Sequence, residues 1–298
     1  MKSTIKFPKF DAELDTDVCS ASNNAELTLT LRLGFTQINP AAGANEGTYH
    51  DYGDVNDPTR KIIKWTATEW ANWKANFLSS AQSYWNGKFW LVNDSGCFAF
   101  TSGMQTYIPN IFCKFKLVGS DSTVGNHHNI SVVRLHASEN WFGSHSTLYD
   151  SMDTKSNEKG TDSAGKKIMQ KAHVHEVGHL MGLGHVDIGK AHCPASSDTN
   201  LKPCYGVSDA DKNSVMGSGM QLRDEHSEPW REAARAFSLA YVLIAPPTFM
   251  PMMPLFQLMG KLPQAISAVW PAKRRRHYPR TLAEATAGTL ITALKRAA

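Results

Sequence analysis

The chain has 298 residues, 42% apolar and 19% charged, an ordinary globular composition long enough for one large domain with an extension or for two modest ones. The net charge of +4 is unevenly placed: from Ala245 onward eight Lys/Arg stand against one acid, Glu284, so the tail carries +7 and the body −3. A body of that charge, with no phosphate-cradling loop and no nucleic-acid signature, argues against nucleic acid as a partner.

Residues 1–22 read as a polar lead-in. Met1 to Asp17 alternates charged and apolar residues without a long apolar run, so the expectation is a protein that stays inside or leaves by a signal-less route. Glu26 to Leu33 alternates strictly, with Leu27, Leu29, Leu31 and Leu33 on one face of a half-buried strand. Asn39 to Arg60, rich in Gly, Asn, Asp and Pro, reads as a loop. Thr66-Ala-Thr-Glu69 is a capping box, and Trp70, Trp73, Phe77, Ala81 and Tyr84 continue at helical spacing until Asn86-Gly87. Strand-like runs follow at Phe89–Val92, Ile111–Val118 and Ile130–Leu135, with a weaker one at Ser144–Met152.

A second helix is expected from about Ser163 to Met181. A third starts at Ser227-Glu-Pro-Trp230, capped by Ser227, and carries Trp230, Ala234, Phe237 and Tyr241 toward a core. This order predicts an α+β fold with an α/β-like upper part: a mixed sheet covered by two helices. Ala236–Gly260 holds no charge, but Pro246, Pro247, Pro251 and Pro254 argue against a membrane-spanning helix. The third helix is expected to stop near Ala245. A Pro/Met-rich strip then packs back on the body, and Lys273–Arg276 is read as a solvated charged tail, with membrane contact the lesser alternative. Of the five cysteines, Cys193 and Cys204 bracket a short polar loop and Cys97 and Cys113 flank an expected hairpin. Two disulfides or five reduced thiols are both open.

The chemistry concentrates in His175-Glu-Val-Gly-His179-Leu-Met-Gly182-Leu-Gly-His185. Histidines four apart on a helix project from one face and reach one ion. Glu176, rotated by about 100°, reaches the open side of that ion without ligating it. A continuing helix would carry residue 185 away, so Gly182 or Gly184 must take a left-handed conformation and return His185 as the third ligand. Three nitrogens and an open position are the donor set of catalytic zinc. The added requirement for Gly and His at fixed places lowers the accidental frequency by about two to three orders of magnitude.

This segment resembles the zinc signature of the metzincin peptidases, and Ser214-Val-Met216-Gly-Ser-Gly219 is similar to their Met-turn. The resemblance implies a zinc-dependent endopeptidase acting on protein or peptide substrates. Its catalytic domain would span 1–245, with an upper subdomain at about 23–182, a lower one at about 183–245 holding the Met-turn and C-terminal helix, a cleft between them, and a tail at 246–298. It also implies a floor role for Met216 beneath the metal, with no ligation. Glu176 would serve as general base, an edge strand such as Ser144–Met152 would pair with extended substrate, and residues around Gly217–Leu222 would shape the specificity pocket. Val186 after the third histidine, and Ser218 where some branches place a tyrosine, leave the branch unassigned.

Other candidates are weaker. His173 is two positions before His175, points about 200° away, and is read as a surface or supporting residue. His127, His128 and His136 lack a recognised metal spacing. Asp209-Ala-Asp211-Lys-Asn213 begins like a calcium loop but lacks its glycine and closing glutamate. Cys19 is a candidate for reaching the zinc from the lead-in.

Overall fold

A computed structural model describes residues 2–16, 24–93, 100–102, 105–107, 109–140, 145–244 and 272–273. The first element is a hairpin, β1 (Lys2–Lys6) and β2 (Asp11–Asp15), where a polar lead-in is expected. Phe10, Ala12 and Leu14 are buried while the acids between them lie half-buried on the other face, so a short alternation suffices for pairing. β3 (Asn24–Ile38) carries the anticipated alternation, with all four leucines fully buried.

The expected loop after it contains a second hairpin, β4 (Glu46–His50) with β5 (Thr59–Ile63). The Asp and Pro residues that suggested a loop form its connection, fixed by the Arg60–Asp51 ion pair at 3.0 Å. α1 (Ala67–Trp85) opens on the capping box: Glu69 N–H donates to Thr66 Oγ1 at 3.2 Å and the Thr66 hydroxyl donates to the Glu69 carboxylate at 2.5 Å.

β6 (Phe89–Leu91), β7 (Phe100–Ser102), β8 (Gln105–Tyr107), β9 (Asn110–Ser120), β10 (His128–Val133) and β11 (Leu148–Asp150) come next. They are followed by β12 (Asn157–Thr161), β13 (Lys167–Gln170), α2 (Ala172–Leu180), α3 (Asp209–Asn213), α4 (Glu228–Ile244) and β14 (Ala272–Lys273). Parallel and antiparallel pairs share one mixed sheet, and four α-helices occur among the described residues, an α+β organisation. Among those residues no helix is long and apolar enough to cross a membrane.

Two expected elements change. The helix predicted from Ser163 starts only at Ala172, because Lys167–Gln170 alternates exposed and buried side chains as β13, antiparallel to β12. Asp162 makes the turn between them, its carboxylate accepting from Ala164 N and Lys166 N at 3.0 and 2.9 Å. Ile168 is therefore buried from a strand, and the helical stripe it was expected to share with Ala172 does not exist. The strand predicted over Ser144–Met152 shrinks to three residues. His145 and Leu148 close a tight turn, and the Asp150 carboxylate accepts from Met152 N at 2.5 Å, bending the chain at the other end. Ser144 lies outside the described residues.

By compactness the chain divides into two interleaved units, Met1–Thr30 with Trp85–Lys116 and Asp224–Ala298, and Leu31–Tyr84 with Leu117–Arg223. In the first, β2 pairs antiparallel with the start of β3, and β6 with β9. The fully buried Trp230 of α4 packs on Phe89 at 5.6 Å and donates its indole N–H to Lys114 O at 2.8 Å. Of the segment 246–298 only β14 is described, antiparallel to β6 with Ala272 opposite Leu91.

In the second unit β10 runs parallel to both the end of β3 and β11. Phe35, Trp70, Trp73, Phe77 and Tyr149 form an aromatic core, with Phe77 at 5.2–5.5 Å from Phe35, Trp73 and Tyr149. Phe77 also lies 5.2 Å from the ring of His173, at the start of α2, so the aromatic core supports the helix that carries the first two candidate ligands. Replacing this fully buried ring, Phe77→Ala, is expected to lower the unfolding free energy by about 3–5 kcal/mol, measured by urea denaturation of the metal-free protein. A loss below about 1 kcal/mol would contradict the central place given to Phe77.

Candidate metal centre

α2 has only nine residues, and its buried face brings His175 and His179 one turn apart. The helix ends because Gly182 adopts φ +102°, a left-handed backbone that a side-chain-bearing residue resists, while Gly184 does not take that role. The chain then reverses, with Leu183 N donating to Gly178 O at 3.0 Å, and His185 returns from irregular backbone. The three histidines form the single group of potential ligands found among the described residues, with their donor atoms within 4.8 Å of one another.

Each ring is oriented by a carbonyl. His175 Nδ1 donates to Val215 O, His179 Nδ1 to Leu183 O and His185 Nδ1 to Thr199 O, each at 2.7 Å. A carbonyl only accepts, so each Nδ1 holds the proton and each Nε2 presents a lone pair. Those lone pairs converge: His179 Nε2 is 3.0 Å from both His175 Nε2 and His185 Nε2. Nitrogens without protons at that distance repel, unless a cation lies among them.

Protons are poor candidates for that cation. Burial pushes the proton affinity of His175 well below the ordinary value, reinforced by neighbouring His179. Burial and His185 bring His179 down to about 4, and burial lowers His185 too. A zinc ion bound at about 2.0–2.1 Å to each nitrogen separates tetrahedral ligands by about 3.4 Å, close to the spacing present. The donor set fits a divalent metal of the zinc type.

The turn that holds Met216 is built against the first ligand. Met216 is buried, its carbonyl accepts from Val186 N at 3.1 Å, and the neighbouring Val215 carbonyl is the one that orients His175. Gly217 is needed for close approach, since a Cβ there would overlap the carbonyl oxygens of Asp211 and Tyr205. Gln170, at the end of β13, donates to Gly217 O at 2.9 Å and lies 3.3 Å from His175 Nδ1, tying the turn to the strand before α2.

Glu176 is buried, 7% exposed, and takes no part in the ligand cluster. Burial raises its carboxyl proton affinity well above the ordinary value, the Asp153 carboxylate raises it further, and Lys159 opposes. His173, expected at the surface or in a supporting place, is fully buried and away from the ligands. Its Nδ1 donates to Asp153 O at 2.9 Å and its Nε2 lies 2.5 Å from the Ser80 hydroxyl of α1. It braces α2 against α1.

Sequence reasoning missed the residues that return to the site from a distance. Thr199 comes from the loop closed by the Cys193–Cys204 disulfide and Tyr205 from the residue just after it, and the Tyr205 ring lies 3.8 Å from that of His185. Cys113 is a free, buried thiol, while Cys19 and Cys97 lie outside the described residues. His127 pairs with Arg32, His128 Nε2 with Leu180 O and His136 with Ser138. Asp209 to Asn213 form α3 capped by Ser208, with Asp209 accepting from Ser163 N at 3.0 Å and Asp211 from Arg223 at 2.8 Å. The calcium-like pattern is thus a capped helix with its carboxylates engaged. No protein-family model, no curated protein and no solved structure matches the chain.

Two measurements follow from this geometry. One zinc ion per chain is expected by atomic absorption after dialysis, and His179→Ala should reduce binding by at least about 100-fold by removing the central ligand. Undiminished binding would show that the ion sits elsewhere.

The second concerns acid. Burial, against the hydrogen bond to Asp153 O, holds His173 at a pKa of about 4 in the fold, compared with about 6.5 in the unfolded chain. The unfolded chain therefore takes up the proton first as pH falls. The stabilisation is whole above pH 6.5 and is withdrawn between 6.5 and 4, a loss of about 3 kcal/mol. The melting temperature of the metal-free protein should fall across that window, with a shallower slope in His173→Gln; equal slopes would contradict the assignment.

Proposed function

We propose that this chain is a zinc-dependent endopeptidase of the metzincin type that hydrolyses peptide bonds in protein or peptide substrates. The observation that carries the reading is the convergence of three Nε2 lone pairs, with a buried carboxyl group, Glu176, next in sequence to the first of the three histidines and outside their cluster. His175, His179 and His185 hold the ion, which supplies Lewis acidity, acidifying water and polarising a carbonyl.

The chain's own groups do the rest. Glu176 sits one residue from the first ligand in a site where burial and Asp153 strengthen it as a base. It takes a proton from the attacking water and hands it to the departing amine, the exchange that peptide hydrolysis requires. Met216 and its turn shape the floor through Val215 O and Val186 N. β11, whose pairing among the described strands is with β10, is the candidate edge for an extended substrate. A zinc-stabilised assembly protein of another class would need no buried unliganded carboxyl at position 176.

Casein digestion by the zinc-loaded protein tests this reading. Glu176→Gln should retain zinc while cleavage falls by about 10²–10⁴-fold, and a chelator should abolish cleavage by wild type. Full activity in Glu176→Gln would sink the mechanism. An inactive wild type with bound zinc would favour the assembly protein.

A further inference from the structure

His185 is the ligand with least support from its own backbone. His175 and His179 are held by α2, whereas His185 belongs to no helix or strand. The hydrogen bond from Nδ1–H to Thr199 O at 2.7 Å fixes one point of the ring and leaves the plane free to tilt about that axis. A second contact is needed to set the plane. The Tyr205 ring supplies it, centred 3.8 Å from the His185 ring at an interplanar angle of 37°, and lying nearly parallel to His175 at 5.9 Å and 18°.

Thr199 and Tyr205 share a mounting. The Cys193–Cys204 disulfide closes the loop that carries Thr199, and Tyr205 follows Cys204 directly. That loop is tied to the residues just after His185: Asp187 N donates to Cys204 O at 3.1 Å and Gly189 N to Cys193 O at 2.8 Å. The Asp187 carboxylate, fully buried, accepts from Val207 N at 3.0 Å on the far side of Tyr205. The backbone on both sides of Tyr205 is thereby registered against the backbone that follows His185.

We propose that Tyr205 is a positioning residue for the metal: its ring face and the Thr199 carbonyl, mounted on the disulfide-closed loop and the residue that follows it, clamp His185 in its ligating orientation. This rests on the reading of the three histidines as ligands of one ion. The ring, not the hydroxyl, does the clamping. Tyr205 therefore acts mainly through His185, the nearer ring, and most of its contribution to metal affinity disappears when His185 is absent.

The test is a double-mutant cycle read by zinc affinity, using competition with a chromogenic chelator on the full chain, with thermal unfolding of each metal-free form as a folding control. Tyr205→Ala is expected to weaken zinc binding by about 10–100-fold, and Tyr205→Phe to restore it. In a His185→Ala background Tyr205→Ala should cause a much smaller loss. Unchanged affinity in Tyr205→Ala, an equal loss in both backgrounds, or failure of Tyr205→Phe to restore binding would overturn the clamp while leaving the three-histidine site in place. A wild-type chain that binds no zinc would overturn the metal site itself, and the clamp with it.

Discussion

The constraint on which the site depends is the orientation of three imidazoles by three main-chain carbonyls. Val215 O, Leu183 O and Thr199 O each accept an Nδ1–H at 2.7 Å, which leaves three proton-free nitrogens facing one another. Such an arrangement is unfavourable by itself. It becomes favourable when a cation occupies the focus, so the surrounding chain stores the cost of convergence in its folding. The three carbonyls come from three places: the reversal just after α2, the disulfide-closed loop, and the turn around Met216. The path from Gly182 to Gly219 is largely the means of bringing those acceptors to the three imidazoles.

Burial then does two things at once. It keeps the histidines neutral, the state in which an imidazole can bind a metal ion, and it raises the proton affinity of Glu176. Asp153 links the two effects. Its carbonyl accepts from His173, whose other ring nitrogen lies against Ser80 of α1, and its carboxylate raises the proton affinity of Glu176. The aromatic core around Phe77 reaches this point through the His173 ring. Packing, helix position and acid–base character are thus set by a short chain of contacts.

The three-histidine cluster was legible because its spacing is a geometric statement: positions four apart share a helical face, and a glycine at 182 permits reversal. The capping box at Thr66 and the leucine alternation of β3 were legible for similar local reasons. The hairpin expected between Cys97 and Cys113 is present as β7 and β8, but the β1–β2, β4–β5 and β12–β13 hairpins were not legible. β1–β2 is too polar to resemble a strand, and β13 places Ile168 at a spacing from Ala172 that also suits a helix, so periodicity alone chose wrongly. Gln170, Thr199 and Tyr205 reach the site through loop closure and strand pairing. No local pattern reports where a loop returns.

X-ray absorption at the zinc edge of the loaded protein tests the central claim most directly, because it reads the donor atoms themselves. The account predicts three imidazole nitrogens and a light exchangeable donor at about 2.0–2.1 Å, with no sulfur. A sulfur donor, or a coordination shell filled by four protein side chains, would contradict it.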